Sequence, residues 1–318
     1  MRWKKNLKLS FNKNAFIRTF PFSLFTFALK PNTPATLIVG SDSLIGRTLA
    51  EQLQHAGARV YGTTRRSESV NGSNLYLDLA EGVSGVKYPE QIDAAVICAG
   101  VTKLEACRRD PSTTARINVQ AVSAIAKKIA EMGARVTYLS SNAVFDGTRP
   151  QRLPDDTLSP VTEYGRQKAE AERQLSALGE AVSIVRFTKV LEPRAGLLTR
   201  WAQALGRGET IHPFEDMVMA PVPLDFACNV LRRLIASRLP GIVQVSGERD
   251  VTYAEAACRV AESVGAMYEL VEPINSKEAG IPPEAVPAHT TLDTTRLRVE
   301  LGLEPPSVWT TIDYAIGL

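Results

Sequence analysis

A tyrosine and a lysine four residues apart, Tyr164 and Lys168, are the first candidates for chemistry. On a helix, side chains with this spacing lie on one face, so the phenol and the ammonium can act together. A nearby positive charge favours an ionised phenol, so we expect Lys168 to lower the pKa of Tyr164 from its ordinary value of about 10. Ser141 follows a predicted strand and supplies a hydroxyl for a substrate oxygen. These residues predict acid–base catalysis.

The meaning of this pair depends on the fold upstream, because most Tyr-x-x-x-Lys pairs are an exposed aromatic beside a solvated lysine. Residues 35–39 read as a strand, 40–46 as a glycine turn, the stretch up to Gly57 as a helix and 59–63 as a second strand. This order opens a dinucleotide-binding fold, in which N–H groups at a helix N-terminus hold a pyrophosphate. Ser43 stands at the middle glycine position, where its Cβ is expected to crowd the phosphate. The predicted cofactor contacts of the turn are Gly40, Ser43, Leu44, Ile45 and Gly46.

The end of the second strand indicates which nucleotide is bound. An acidic residue at this place binds the ribose 2′-hydroxyl of NAD, whereas arginine accommodates the 2′-phosphate of NADP. The chain has Arg65 and Arg66 there and no acid within reach. The sequence therefore favours NADP, with NAD as the alternative cofactor and a solvated basic loop as the alternative interpretation of the arginines.

Further strands are predicted at 74–77, 93–98, 135–139, 182–187 and 241–245. They predict an α/β fold, a Rossmann-type doubly wound parallel sheet with a small C-terminal substrate-binding lobe. In such sheets ligands gather at the carboxyl ends of the strands. Cys98 is interpreted as a small buried residue rather than a nucleophile. Beside Ser141, the end of the strand 93–98 predicts the cofactor contacts Cys98, Ala99 and Gly100, while Asp78 and Leu79 close the strand 74–77 and enter as contacts through the family resemblance described below.

Charge divides the chain of 318 residues unevenly. Residues 1–34 carry seven basic side chains and no acid, so the rest of the chain is net acidic although the whole is +3. We expect 1–34 to be a disordered extension, 35–187 an NAD(P)-binding Rossmann core, and 188–318 mainly a substrate-binding lobe with a strand and a helix returning to the core. The acidic body argues against nucleic-acid binding. The apolar run 20–29 is too short to span a bilayer, so there is no firm membrane signal.

Cysteine and histidine usage bounds the location and the metal chemistry. The four cysteines show no Cys-x-x-Cys spacing, which fits a reduced cytoplasm. The three histidines are scattered, so no metal site is predicted. A second copy of the chain, in a homodimer, is an expected partner.

A set of motifs carries a family resemblance over roughly residues 35–315. The set comprises Gly40 to Gly46, Asp78-Leu79, Cys98-Ala99-Gly100, Asp110-Pro111, Asn118-Val119, Ser140-Ser141, Val144 to Gly147, the Tyr164/Lys168 pair, Val245-Ser246-Gly247 and Leu292 to Leu297. With them the chain resembles an extended short-chain dehydrogenase/reductase, in the branch of dTDP-4-dehydrorhamnose reductase and its sugar-nucleotide-binding relatives. The resemblance implies that Ser141 positions a carbonyl, that Tyr164 transfers a proton, and that Lys168 lowers the tyrosine pKa and binds the nicotinamide ribose.

The resemblance further implies an NADP-dependent oxidoreductase that reduces the 4-keto group of a nucleotide-activated deoxysugar in carbohydrate biosynthesis. Asn142-Ala143 stands where the rhamnose reductases have Asp-Tyr and the 4,6-dehydratases have Asp-Glu, which argues against dehydration. One alternative is an NAD(P)-dependent sugar-nucleotide epimerase or another extended short-chain dehydrogenase. Another is a non-catalytic nucleotide-binding regulatory protein of the same fold, since the branch includes a regulatory subunit of methionine adenosyltransferase.

Overall fold

The computed structural model describes residues 34–83 and 85–318, so the predicted basic extension lies outside the described residues except for Pro34. The first half of the described chain contains six strands of the main sheet and the helices that connect them. These are β1 (Thr36–Val39), α1 (Leu44–His55), β2 (Val60–Thr64), β3 (Asn74–Tyr76), β4 (Ala94–Ile97), α2 (Leu104–Arg109), α3 (Pro111–Ala115), α4 (Val122–Glu131), β5 (Arg135–Ser141), α5 (Glu163–Ser176) and β6 (Val182–Phe187). A π-helical turn, Arg116–Ala121, joins α3 to α4.

The rest of the chain is built from shorter strands and further helices. They are β7 (Val190–Leu191), α6 (Gly196–Gly206), β8 (Val218–Met219), β9 (Val222–Pro223), α7 (Leu224–Ser237), β10 (Gly241–Val245), β11 (Val251–Thr252), α8 (Tyr253–Val264), α9 (Thr295–Leu301) and α10 (Val308–Ile316). Among the residues described, no helix is both long and apolar enough to cross a bilayer.

Seven strands form one parallel sheet in the order β3-β2-β1-β4-β5-β6-β10. This order is that of a doubly wound dinucleotide-binding sheet, so the predicted fold class is confirmed. All residues of β1, β4 and β6 are buried. Strands covered on both faces read as continuous apolar runs, which is why these segments stood out in the sequence.

Helices cover both faces of the sheet. On one face α1, α7 and α9 contribute Leu49, Leu231 and Leu297 to a buried cluster. On the other face α4 and α5 contribute Ile125 and Leu175 to a second cluster. A third cluster lies among α6, α8 and α10, outside the sheet. The predicted lobe therefore has apolar packing of its own, while the boundary at 187/188 stays a prediction.

Two helices of the second half differ from the sequence expectation. In the sequence, Gly208 and the prolines at 213, 221 and 223 predict that residues 188–240 break into short pieces after a helix around 197–205, but α7 runs for 14 residues. Pro223 is its N-cap, so the proline precedes the helix rather than interrupting it. The helix predicted near Asp293 is α9, and the unpredicted α10 follows it.

Candidate active site

Helix α5 carries Tyr164 and Lys168 in its first two turns, at the carboxyl edge of the sheet. Its N-cap is Thr162, whose hydroxyl accepts a hydrogen bond from the Gly165 N–H at 3.0 Å. A Cβ at Gly165 would collide with the carbonyl oxygen of Ala143. Glycine at this position therefore lets α5 approach the segment that follows Ser141, which brings Tyr164 to the end of β5.

A cleft of about 520 Å³ lies between this helix, the ends of the central strands and the second half of the chain. Seven predicted site residues line it: Ile45, Cys98, Ala99, Gly100, Ser141, Tyr164 and Lys168. The remaining predicted contacts lie beside the cleft, at and beyond the ends of β1, β2 and β3: Gly40, Ser43, Leu44, Gly46, Arg65, Arg66, Asp78 and Leu79. The three proposed catalytic side chains thus share one cavity.

Burial sets the acidity of both members of the Tyr164/Lys168 pair. Loss of hydration raises the pKa of Tyr164 to about 12, and the Ser141 hydroxyl opposes that rise by hydrogen bonding. Loss of hydration also lowers the pKa of Lys168 to about 8, opposed by the charge of Glu172. The pKa of Tyr164 is thus raised rather than lowered, because desolvation is the largest influence on it and Lys168 is not among the groups that shift it. The role expected of Lys168 stays a prediction.

The contacts of Lys168 explain this result. Its Nζ donates a hydrogen bond to the Leu139 carbonyl at 2.7 Å, which directs the ammonium toward β5. The same nitrogen lies 4.5 Å from the ring centroid of Tyr138 and 5.8 Å from that of Tyr164. The ammonium thus donates to a strand carbonyl and lies near two aromatic rings. The Tyr164 ring is only one of its neighbours.

The glycine turn has the geometry of a phosphate-binding loop, with one change. Gly40 has φ +87°, and a Cβ there would lie 2.8 Å from the Ala99 backbone nitrogen, so glycine is required at this contact. Ser43 caps α1: its hydroxyl accepts a hydrogen bond from the Gly46 N–H at 3.1 Å and donates to the Gly40 carbonyl at 2.8 Å. The Ser43 N–H also donates to Gly40. Leu44 and Ile45 occupy the first helical positions, whose N–H groups have no partner within the helix.

The two arginines that the sequence predicts to select the nucleotide lie farther along the same edge. Arg65 and Arg66 follow β2 directly and are exposed, so both guanidinium groups are available to a phosphate. Thr64 fixes the backbone from which the two arginines project. Its hydroxyl donates a hydrogen bond to Asp42 at 2.7 Å and accepts one from the Arg66 N–H at 3.0 Å. This places the arginines next to the glycine turn that contains Asp42.

The other predicted contacts divide between surface and core. Asp78 is half-buried, and its carboxylate accepts a hydrogen bond from the Ala80 N–H at 2.9 Å. Leu79 is buried in the apolar cluster of the α4/α5 face. Burial raises the pKa of the Cys98 thiol, which favours the neutral, unreactive form. Cys98 therefore lines the cleft as a neutral thiol rather than serving as a nucleophile.

Two residues outside the predicted site set lie at the cleft or beside it. Lys189 lines the cleft just beyond the end of β6, where the strand-end argument applied to Ser141 would have found it. Asn118 lies in the π-helical turn and donates hydrogen bonds to the Val101 carbonyl at 2.9 Å and the Gln167 side chain at 2.8 Å. Asn118 belongs to the motif set of the family resemblance, but only the structure shows that it joins the turn to the segment after β4 and to α5. Within the described ranges, no cluster of acidic, histidine and cysteine side chains could hold a metal ion.

Known proteins with the same sequence features share this fold. The family described as "RmlD substrate binding domain" matches residues 35–316. The probable low-salt glycan biosynthesis reductase Agl14 of Haloferax volcanii is 23% identical, with 85% of this chain and 93% of that protein covered. Methionine adenosyltransferase 2 subunit beta of Rattus norvegicus is 25% identical, with 75% and 74% covered. The structure of dTDP-4-dehydrorhamnose reductase from Bacillus anthracis str. Ames in complex with NADP superposes with a TM-score of 0.75 at 20% identity, covering 90% of this chain and 100% of that one.

Proposed function

The chain belongs to the RmlD substrate-binding domain family, and from this premise we propose that it is an NADP-dependent reductase of the 4-keto group of a nucleotide-activated deoxysugar. The observation that carries the proposal is the presence of Ser141, Tyr164 and Lys168 in one cleft at the carboxyl edge of the sheet. The relatives support it, since one is named a probable glycan biosynthesis reductase and another was solved with NADP. A homodimer and a cytoplasmic location stay predictions.

The residues along the sheet edge fit a dinucleotide. Gly40 leaves room for close approach beside Ala99, and the first N–H groups of α1, from Leu44 and Ile45, would hold the pyrophosphate. The exposed guanidinium groups of Arg65 and Arg66 would bind the 2′-phosphate of NADP. When bound, the cofactor supplies the hydride. The protein's part is to hold the keto sugar and to deliver a proton.

Three side chains perform that part in the proposed reduction. The Ser141 hydroxyl donates a hydrogen bond to the carbonyl oxygen, and the Tyr164 hydroxyl transfers its proton to the same oxygen as negative charge develops there. With its pKa near 12, Tyr164 is fully protonated at neutral pH, as an acid for this direction must be. The Lys168 ammonium stabilises the phenolate that remains. Lys189 and the loops of the second half would contact the sugar nucleotide.

A second candidate is a nucleotide-binding regulatory subunit without catalysis. The similarity to methionine adenosyltransferase 2 subunit beta favours it, because that relative matches as well as the reductases do. The two functions differ in what they require of Tyr164. A binding subunit has no need of a buried acid beside a buried ammonium, so turnover that depends on Tyr164 separates them.

Cofactor binding is the first test. We expect nicotinamide fluorescence to show tighter binding of NADPH than of NADH. Arg65→Ala/Arg66→Ala should weaken NADPH binding by about 10–100-fold and leave NADH binding unchanged, since the loss of one hydrogen bond to a charged group costs about 1.5–3 kcal/mol. Arg108→Ala/Arg109→Ala, another adjacent pair of exposed arginines, is the matched control. Equal affinity for both nucleotides would contradict the NADP assignment.

Turnover is the second test. Wild-type protein should consume NADPH when given dTDP-4-keto sugars, and Tyr164→Phe should reduce the rate by at least about 100-fold while NADPH binding stays intact. NADPH binding without consumption by any keto sugar would favour the regulatory subunit. Binding of neither nucleotide would exclude both functions.

A further inference from the structure

Consecutive residues at the end of β5 each engage a different partner at the catalytic edge. The Leu139 carbonyl accepts a hydrogen bond from the Lys168 Nζ at 2.7 Å. The next side chain, Ser140, donates a hydrogen bond to the Glu172 carboxylate. The following hydroxyl, that of Ser141, lies in the cleft. Strand β5 therefore fixes the register of α5 at the same place where it presents the substrate-binding serine.

Glu172 is buried, with 3% of its side chain exposed, and it is held from a second side by Arg186. Arg186 Nη2 donates to the carboxylate at 2.7 Å, and its Nε approaches both carboxylate oxygens at 3.0 and 3.1 Å. The remaining Nη1 donates to the Pro154 carbonyl at 2.9 Å and to Gln244 at 3.1 Å. Both members of this ion pair thus have bonded partners within the described residues.

Such a pair is weak evidence for a purely stabilising role. Removing two charges from water is unfavourable, and a well-packed apolar pair is often as stable as a buried ion pair. The position of this pair points to another role. Glu172 lies one helical turn beyond Lys168 on the same face of α5, so its charge acts directly on the buried ammonium.

Few other groups in the described chain act on that ammonium. Thiols approach from the end of β4 and from α2, and burial raises the pKa of both, so they stay neutral. Aromatic rings approach from β5 and from α5 itself. The carboxylate of Glu172 is the anion among the groups that influence Lys168. These groups are Cys98, Cys107, Tyr138, Tyr164 and Glu172.

We infer that Glu172 is a positioning residue for the Tyr164/Lys168 pair: held by Arg186 and Ser140, its carboxylate keeps the Lys168 ammonium charged and fixes α5 against the end of β5. The inference rests on the proposed reductase function for its kinetic consequences only. The charge state of Lys168 is a property of the protein itself and is measurable without any substrate.

The direct test is an NMR titration of the full-length protein with ¹³Cε-labelled lysine, the Lys168 signal being identified by its loss in Lys168→Met. Wild-type Lys168 should titrate near pH 8. In Glu172→Gln the midpoint should fall by about one pH unit, the lower end of the effect of a close opposite charge. Glu170→Gln is the matched control, because it makes the same change on the same helix at a carboxylate paired with Arg173.

Two further variants keep the test decisive if Glu172→Gln does not fold. Glu172→Asp retains the charge and should keep the midpoint near the wild-type value. Glu172→Gln/Arg186→Gln removes both charges of the ion pair and leaves no unpaired guanidinium at this place, so it should fold where the single variant does not, and the Lys168 midpoint should also fall.

The kinetic arm follows the same groups. If the chain is a reductase, kcat should decline as pH rises through about 8, and this decline should move to lower pH in Glu172→Gln but not in Glu170→Gln. Folded Glu172→Gln protein with an unchanged Lys168 midpoint and an unchanged pH profile would overturn the inference and leave the ion pair as a structural feature. If wild type reduces no keto sugar, the reductase proposal fails, and the NMR midpoint alone supports or overturns the role of Glu172.

Discussion

Lys168 shows the conflict between burial and charge most clearly at the scale of single residues. The side chain is 6% exposed, and its pKa lies near 8 rather than at the ordinary 10.5. At neutral pH it is still protonated, so the folded protein holds an ammonium that would be more stable in water. One hydrogen bond to Leu139 and the nearby charge of Glu172 offset only part of this loss. The site therefore keeps a cation where folding alone would favour an apolar side chain.

This conflict predicts that Lys168→Met stabilises the protein while it removes catalysis. A pKa lowered by about 2.5 corresponds to about 3 kcal/mol, of which the lost hydrogen bond to Leu139 removes about 1, so we expect a gain of about 2 kcal/mol in the free energy of unfolding at pH 7. Urea unfolding at pH 7 measures this difference. Turnover of a keto sugar should fall at least about 100-fold.

The pH dependence of that gain has a defined sign. Below pH 8 Lys168 is protonated in both states, and the folded state bears the full penalty of the buried charge. Between pH 8 and 10.5 the unfolded chain binds more protons than the folded one, so wild type gains stability as pH rises and the advantage of Lys168→Met disappears. Lys189→Met, at an exposed lysine, is the control and should change stability by less than about 0.5 kcal/mol. A Lys168→Met protein less stable than wild type at pH 7 would contradict this account.

At the scale of elements, the close approach of α5 to the end of β5 depends on Gly165. A Cβ there meets backbone, the Ala143 carbonyl, which has no flexible side chain to move aside. We expect Gly165→Ala to displace α5 and to reduce turnover about 100-fold, because a shift of about 1 Å in a catalytic group has this effect. Steady-state kinetics together with urea unfolding would measure it, with a loss of about 1–3 kcal/mol for the overpacking.

Gly206 provides a control for the same substitution. It also lies in a helix, the last residue of α6, and an added Cβ would meet nothing within 4 Å. Gly206→Ala should therefore stabilise the protein by about 0.5–1 kcal/mol through helix propensity and leave turnover unchanged. Equal effects of the two substitutions would show that the contact with Ala143 does not determine the position of α5.

The serine in the glycine turn belongs to the same scale, because it starts α1. Ser43→Ala removes the hydroxyl that caps Gly46 and should cost about 1 kcal/mol, whereas Ser43→Gly should cost only a few tenths. Thermal unfolding of the two variants measures the difference. In contrast to the sequence expectation that the serine Cβ crowds the phosphate, NADPH affinity should change less than about twofold in Ser43→Gly, because the N–H groups of the first helical positions, Leu44 and Ile45, are present in both proteins. A large gain in affinity from Ser43→Gly would instead mean that the serine Cβ obstructs the phosphate.

The elements that could be predicted from sequence are those that carry a local signal. Runs such as Thr36–Val39 and Val182–Phe187 are apolar along their whole length because both faces of each strand are buried. The parallel sheet and the glycine turn followed from them, and the family resemblance is confirmed. Helix α7 was missed because Pro223 was interpreted as a break rather than as the residue before a start.

What could not be predicted depends on tertiary contact. Lys168 and Tyr164 do share a helix face, but the sequence gives no measure of how far water is excluded around them. Desolvation raises the pKa of Tyr164 where a local argument expected it to fall. Glu172 likewise looks like an ordinary helical glutamate until the fold brings Arg186 to it from β6. The sequence therefore could not predict how deeply these side chains are buried, whereas the expectation that Ser141, Tyr164 and Lys168 lie together agrees with their lining one cleft.

At the scale of the whole molecule, the seven-stranded parallel sheet is completed by chain that follows the predicted lobe boundary. Strand β10 pairs with β6 along its full length. Helices α7 and α9 supply more than half of the buried side chains that cover one face of the sheet, among them Leu231, Leu234 and Leu297. The lobe and the core are thus interleaved in sequence, and the cleft lies where the chain passes between them.

This interleaving predicts that residues 34–187 do not fold alone, although they contain the turn, the strand ends and all three proposed catalytic residues. Without α7, β10 and α9 one face of the sheet is bare and β6 becomes an exposed apolar edge, a surface that favours aggregation. We expect the fragment 34–187 to bind the dye ANS, to lack near-UV circular dichroism and to show no NADPH binding, whereas 34–318 behaves as a folded protein. A fragment that unfolds cooperatively and binds NADPH would establish 35–187 as an independent domain. The expected result would instead mean that the cofactor site exists only once the chain beyond β6 has returned to the sheet, so that the predicted boundary separates functions rather than folding units.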